Sequence, residues 1–154
     1  MARRLLAYAD TSVIGGCEDD EFREPSVRLW DTFTSGRHRL ALSALTAREL
    51  EGAPPAVRAW LDRVPAEHLV ALADSDEATD LAQVYLGRGI VGPGSTADAM
   101  HVALASVARV DVIVSWNFRH IVNLGRIRLF HAINLERGYD LVEIRSPREV
   151  LDYD

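Results

Sequence analysis

The 154-residue sequence contains no lysine, so all 17 of its basic residues are arginines. A P-loop needs a lysine, and the glycine-rich segment 87–94 also lacks the spacing of that motif. A small α/β phosphatase or nucleotide enzyme that pairs a nucleophilic aspartate with a lysine is disfavoured for the same reason. We therefore expect segment 87–94 to be a mobile loop over a binding crevice rather than a phosphate cradle.

Cysteine is represented only by Cys17, which excludes an internal disulfide and favours a reducing, cytoplasmic location. Cys17 itself is expected to be a small buried apolar residue. No apolar run approaches the roughly 18 residues of a membrane span, and the first run ends at Asp10, too early for a signal peptide. The net charge of −6 argues against a protein held on nucleic acid by bulk electrostatics. It leaves room for an enzyme that binds RNA locally through arginines and a metal ion.

Short apolar runs alternate with helical patterns along the chain. Strands are predicted at residues 5–9, 39–42, 68–73, 112–114 and 141–144. Helices or helical turns are predicted at residues 11–21, 25–36, 47–51, 56–64, 77–87, 95–107, 118–123, 133–137 and 147–151. The alternation predicts one domain over residues 1–154, an α/β sandwich with a mostly parallel central sheet.

Four oxygen-bearing side chains stand far apart in the sequence, each near the end of an apolar run. They are Asp10, Glu49, Asp98 and Asn117. Ligands of a parallel sheet bind beyond the carboxyl ends of its strands, where the strand order reverses, so we expect all four to face one crevice. Carboxylate and amide oxygens suit Mg²⁺ or Mn²⁺, whereas no histidine and cysteine set has the spacing of a zinc site. The pattern predicts metal-dependent phosphodiester cleavage, in which a metal-activated water attacks the phosphate.

Each of the three carboxylates also has a structural interpretation. Asp10 precedes Thr11 and Ser12 and would serve as a helix cap. Glu49 alone reads as a solvated helix residue. Asp98 lies near a helix N-terminus, where the dipole favours a carboxylate. Their joint placement, rather than any one of them, favours the metal site.

Several other residues lie near these positions. Arg119 and His120 follow Asn117, and we predict that they contact phosphate, with His120 alternatively acting as an acid near neutral pH. His101 is three residues after Asp98 on the same helical face. It either orients Asp98, touches RNA, or is an ordinary partly buried histidine. Trp116 is expected in the core, with stacking on a base as the alternative.

The helix containing residues 26–33 carries Val27, Leu29, Trp30 and Phe33. These side chains either pack on the core or receive a partner protein or second subunit.

Four sequence blocks resemble the motifs of PIN-domain ribonucleases, and within them the VapC-like toxins of bacterial toxin–antitoxin pairs. The blocks are ADTSVI, TAREL, TADAMHVALA and DVIVSWN, in that order across residues 5–118. The resemblance implies a three-layer α/β/α sandwich. It implies a Mg²⁺- or Mn²⁺-dependent endoribonuclease that acts as a toxin, is often a homodimer and is held inactive by a cognate antitoxin.

By position, the resemblance makes Asp10, Glu49 and Asp98 the acidic metal-site residues and Ser115 a hydroxyl-bearing residue near the substrate. Asn117 stands where many members have aspartate. An asparagine can coordinate through its carbonyl oxygen or bond to a metal-bound water, but it supplies no charge. One metal is therefore expected rather than two. The alternative is a catalytically inactive domain of the same fold that binds RNA or a protein.

Overall fold

The computed structural model describes residues 3–153, which form a sheet of five strands. The strands are β1 (Leu6–Ala9), β2 (Arg39–Ser43), β3 (Leu69–Leu72), β4 (Val112–Val114) and β5 (Glu143–Arg145). All neighbouring pairs are parallel, in the order β3-β2-β1-β4-β5. The parallel sheet is confirmed. The last strand was placed too early by two residues at its start, since Leu141 is exposed and pairing with β4 begins at Glu143.

Eight α-helices lie within the same residues. They are α1 (Thr11–Gly16), α2 (Arg23–Thr34), α3 (Ala44–Glu51), α4 (Pro55–Leu61), α5 (Asp76–Gly87), α6 (Thr96–Val107), α7 (Leu124–Glu136) and α8 (Pro147–Leu151). The predicted mobile loop contains a short 3₁₀ turn, Pro93–Ser95. No helix in the described part of the chain is long and apolar enough to cross a membrane.

Two helices differ most from the prediction. The first ends at Gly16 rather than near residue 21. Helix α7 has thirteen residues, of which the sequence pattern predicted only the last few, at 133–137. Its apolar residues point both inward and outward, with Phe130 buried and Leu124 and Leu135 exposed, so the one-sided stripe that identifies a surface helix is missing.

The helices cover both faces of the sheet. Successive strand residues point to opposite faces, so Tyr8, Ala41 and Ile113 pack in one apolar cluster with α5, α6 and α7. Their neighbours, Ala7, Ala9, Leu40, Val112 and Val114, join a second cluster with α1, α2, α4 and α8. The three-layer α/β/α sandwich is confirmed. The helix at residues 26–33 packs on the core, since Leu29, Trp30 and Phe33 are fully buried.

The strand order reverses at β1. From β1 the chain builds β2 and β3 on one side, then crosses to form β4 and β5 on the other. The carboxyl ends of β1 and β4 are therefore adjacent at the reversal point, where α/β proteins bind ligands. Asp10 directly follows β1, and residues 115–117 directly follow β4.

Candidate active site

Asp10 is a buried carboxylate at the end of β1, with 5% of its surface exposed. Its backbone N–H donates to the carbonyl oxygen of Val114, which ties β1 to β4. Its side chain accepts hydrogen bonds from the hydroxyls of Ser12 (2.5 Å) and Ser115 (2.6 Å). No arginine or histidine within residues 3–153 forms an ion pair with it. Burial raises the pKa of Asp10, and the hydrogen bonds from the Ser115 and Ser12 hydroxyls offset this only in part.

The two serine hydroxyls join the end of β4 to the start of α1. The Ser12 hydroxyl accepts from the backbone N–H of Trp116 at 3.0 Å, and the Ser115 hydroxyl accepts from the N–H of Asn117 at 2.9 Å. Asp10 occupies the N-cap position of α1, yet its side chain makes no capping hydrogen bond. Its carboxylate is therefore oriented by hydroxyl groups rather than used as a helix cap.

Glu49 lies on α3, and its carboxylate contacts two residues from other elements. Oε1 accepts a hydrogen bond from the Thr11 hydroxyl at 2.6 Å and lies 2.7 Å from Nε2 of His101. The His101 bond is the main cause that lowers the pKa of Glu49, against an opposing effect of burial. One third of the Glu49 side chain is exposed, so it is neither a core residue nor a freely solvated one.

Asp98 and Asn117 contact each other across the same end of the sheet. The Asn117 amide donates to Oδ1 of Asp98 at 3.1 Å, and its carbonyl oxygen accepts the backbone N–H of His120 at 2.9 Å. Asn117 thus ties the first turn of α6 to the turn that follows β4. This arrangement uses the amide oxygen that was expected to face a metal ion.

The remaining predicted residues lie in the turn after β4 or beside it. Ser115 is fully buried, and Arg119 is exposed without an ion pair to any described residue. His120 is half-buried, and its Nδ1 is a buried atom without a hydrogen-bond partner among residues 3–153. Their contacts with a substrate stay predictions. Trp116 is in the core as predicted, where its indole N–H donates to Ser26 at 2.8 Å.

The donor types at this edge suit a hard divalent cation, because they are carboxylate, amide and hydroxyl oxygens. The clearest observation is the buried carboxyl group of Asp10, whose side-chain donors among residues 3–153 are two neutral hydroxyls. The side chains are bound in separate groups, however. Within residues 3–153, no three Asp, Glu, His or Cys side chains are gathered closely enough to hold a metal ion.

The sequence pattern gave Thr11 and Ser12 no role in the site beyond following Asp10. In the structure their hydroxyls donate to Glu49 and Asp10. The available indication was their position directly after an aspartate at the end of a buried strand. Three roles were open for His101: orienting Asp98, touching RNA, or an ordinary partly buried histidine. The ring is buried and binds Glu49 and Tyr8 rather than Asp98.

The chain was compared with known proteins. No protein-family model matches it, and no curated protein sequence matches it. Solved structures do. VapBC2 from Rickettsia felis, bound to a promoter DNA fragment, matches with a TM-score of 0.57 at 11% identity over 92% of this chain and 98% of that one. VapC20 from Mycobacterium tuberculosis, a toxin that cleaves the sarcin-ricin loop, matches with a TM-score of 0.56 at 16% identity over 89% and 98%. DNA-bound VapBC from Salmonella typhimurium matches with a TM-score of 0.55 at 21% identity over 93% and 98%.

The chain has a VapC-like PIN fold. The match extends over nearly the full length of the compared chains, so the PIN fold accounts for all five strands rather than for one βα unit. In this PIN fold, Asp10 and residues 115–117 occupy the reversal point of the sheet, with Glu49 and Asp98 on the helices beside it.

Proposed function

We propose that this protein is a Mg²⁺- or Mn²⁺-dependent endoribonuclease and the toxin of a toxin–antitoxin pair. The observation that carries the proposal is the buried Asp10 carboxylate at the reversal point of a VapC-like PIN fold. Among residues 3–153, hydroxyl groups but no cationic side chain bind to it. An ionised carboxylate in such a site is costly unless a cation neutralises it. The similarity of VapC20, which is a cleaving toxin, supports RNA as the substrate.

In this proposal Asp10, Glu49 and Asp98 hold the cation, and Asn117 completes the site through its contact with Asp98. When bound, the cation would neutralise charge on the scissile phosphate and lower the pKa of the attacking water. Ser12 and Ser115 orient Asp10 by donating to its two oxygens. The exposed Arg119 is available to a phosphate of the RNA, and His120 lies in the same turn. Since Asn117 carries no charge, we propose one cation rather than two.

The proposed protein partners are a cognate antitoxin and a second copy of the chain, and the proposed location is the cytoplasm, away from membranes. The VapBC structures that share the fold support the antitoxin. The single buried cysteine suits a reducing compartment.

The outer face of α7 supports the homodimer. It presents Leu124, Leu129 and Leu135, which are 69%, 48% and 61% exposed. We expect Leu129→Asp to halve the molar mass in light scattering after size exclusion, whereas Leu141→Asp, an equally exposed leucine outside α7, should not. Equal masses for wild type and both variants would contradict the use of this face.

A second candidate function is a catalytically inactive module that binds RNA or a protein. The contacts of Asn117 favour it, because the amide oxygen already accepts a backbone N–H and the amide group already donates to Asp98. Such a module would show no saturable binding of Mn²⁺.

The test is RNA cleavage by the purified, antitoxin-free protein with Mn²⁺, Mg²⁺ or EDTA, beside Asp98→Asn. We expect cleavage that needs the metal and disappears in the variant, while circular dichroism shows that both are folded. If the folded wild-type protein cleaves none of several RNAs and binds no Mn²⁺, the proposed nuclease function is wrong and the binding module becomes the proposed function.

A further inference from the structure

A chain of buried hydrogen bonds runs from the centre of the sheet to Glu49. The Tyr8 hydroxyl lies 2.8 Å from the Ser43 hydroxyl and 2.6 Å from Nδ1 of His101. The other ring nitrogen of His101, Nε2, lies 2.7 Å from Oε1 of Glu49. Tyr8, Ser43 and His101 are all less than 4% exposed. The chain therefore joins β1, β2, α6 and α3 through polar groups that water does not reach.

The chemistry of the donors sets the direction of these bonds. An ionised carboxylate accepts hydrogen bonds and donates none, so the proton of His101 must be on Nε2. In a neutral imidazole the other nitrogen is then an acceptor, which the Tyr8 hydroxyl satisfies. The Ser43 hydroxyl lies beside that of Tyr8 and itself donates to the Thr46 hydroxyl at 3.1 Å. The Tyr8 hydroxyl and the ring N–H of His101 both donate towards Glu49, and cooperative polarisation strengthens such a chain in a low-dielectric interior.

The ring of His101 has little freedom to change this contact. It packs edge-to-face against Tyr8, with ring centroids 5.6 Å apart and planes inclined by 70°. The hydroxyl of Thr11, at the start of α1, donates to the same oxygen of Glu49. Oε1 thus has two donors, while no hydrogen bond reaches Oε2 from residues 3–153.

We infer that His101 is a positioning residue for Glu49: with Tyr8 behind it, it holds Oε1 in place and leaves Oε2 as the oxygen that binds the cation. The inference rests on the proposed function. A merely structural histidine would need only an acceptor for one ring nitrogen and a donor for the other, which backbone C=O and N–H groups provide. Here the acceptor is a partly exposed carboxylate on another helix, 52 residues away in sequence. Partners that orient a metal-binding carboxylate typically affect metal affinity by about 10- to 100-fold.

The chain offers a matched pair of variants. A glutamine side chain reaches the position of Nε2, so His101→Gln keeps a donor to Glu49. An asparagine reaches only the position of Nδ1, so His101→Asn keeps the Tyr8 contact and loses the Glu49 contact. Both variants bury one amide in place of the ring, and their thermal stabilities should be similar. A purely structural role would therefore not separate them.

The first measurement is the Mn²⁺ dissociation constant by calorimetry. We expect His101→Asn to weaken Mn²⁺ binding by about 10- to 100-fold and His101→Gln to remain close to wild type. Equal constants for wild type and His101→Asn would overturn the inference and leave the proposed nuclease intact. No Mn²⁺ binding by the wild-type protein would overturn the proposed function and the assignment of His101 together.

A second measurement needs neither a variant nor a metal. Proton–nitrogen correlation spectra of the wild-type ring report which nitrogen carries the proton. We expect a proton on Nε2 of His101. A ring protonated on Nδ1 alone could not donate to Glu49 and would overturn the inference, even if the variants failed to fold.

Discussion

Two aspartates mark opposite edges of the same pair of strands. Asp10 directly follows β1, and Asp111 directly precedes β4, its neighbour in the sheet. Asp111 is neutralised within the chain, because it accepts from the Arg3 guanidinium at 2.7 Å and from the backbone N–H of Leu6 at 2.8 Å. Asp10 is more deeply buried, and its side chain accepts hydrogen bonds, among residues 3–153, from the hydroxyls of Ser12 and Ser115.

The difference separates a structural carboxylate from one that fits a ligand site. At the amino edge of the sheet, a negative charge is matched by a cation and a backbone donor, which costs little. At the carboxyl edge, burial raises the pKa of Asp10 without a cationic side chain bound to it. Strongly perturbed groups in such positions mark functional sites more often than structural ones.

The largest expected effect is on cleavage. We expect Asp10→Asn to reduce RNA cleavage by more than about 100-fold, because loss of a metal ligand should exceed the 10- to 100-fold typical of its supporting partners. Asp111→Asn should cleave as fast as wild type. The measurement is the initial rate with Mn²⁺. Similar rates for Asp10→Asn and wild type would mean that Asp10, like Asp111, is a structural carboxylate.

The next effect is on stabilisation by the metal. Mn²⁺ at about 100 times its dissociation constant should raise the free energy of unfolding by about 2.7 kcal/mol. We expect this gain in wild type and Asp111→Asn but not in Asp10→Asn, because the last variant lacks the carboxylate that we propose as a ligand of the cation. Chemical denaturation with Mn²⁺ and with EDTA measures it. A gain of the same size in Asp10→Asn would place the cation elsewhere.

A smaller effect is expected when a charge is added at the carboxyl edge. Asn117→Asp would place a second carboxylate beside Asp98 in place of the present amide donor at 3.1 Å. Two like charges at about 4 Å repel by about 1 kcal/mol even in water. We therefore expect the variant to lose about this much stability in EDTA and to bind Mn²⁺ more tightly than wild type. If both the stability in EDTA and the Mn²⁺ affinity are unchanged, Asn117 is not part of the metal site.

The smallest effect is expected at the amino edge. Asp111→Asn should lower the free energy of unfolding by less than about 1 kcal/mol, because Arg3 is mostly exposed and such ion pairs contribute little. The asparagine oxygen can still accept from the N–H of Leu6. The loss should shrink as salt is added, since salt screens exposed pairs. A loss of several kcal/mol would contradict this prediction and would mean that Asp111 contributes as much to the free energy of unfolding as a core residue.

Much of the fold followed from local pattern. The three β-branched residues of β4 predicted a strand buried on both faces. Helix α8 begins and ends at the predicted residues. Ser146 caps α8 and Pro147 opens it, which are strictly local preferences. Helix α7 was mostly missed, because its exposed leucines disturb the one-sided pattern.

The site was only partly predictable for a related reason. Spacing along a helix places His101 near Asp98, but its ring contacts Glu49, since α3 and α6 both lie over Tyr8 in the folded chain. The contact of Asn117 with Asp98 likewise joins residues from different elements. Sequence spacing carries no information on such pairs.

The sequence by itself determined the parallel sheet and the oxygen-bearing residues at its carboxyl edge. The spacing of apolar residues and the ends of strands are properties of short segments, so they can be read from the sequence. Only the tertiary structure decided which partner each oxygen-bearing residue meets. Asp10 meets two serines, Glu49 meets His101 and Thr11, and Asp98 meets Asn117. Those pairings depend on how β1, β4, α3 and α6 pack around the reversal point, and packing is set by the whole core rather than by any one segment.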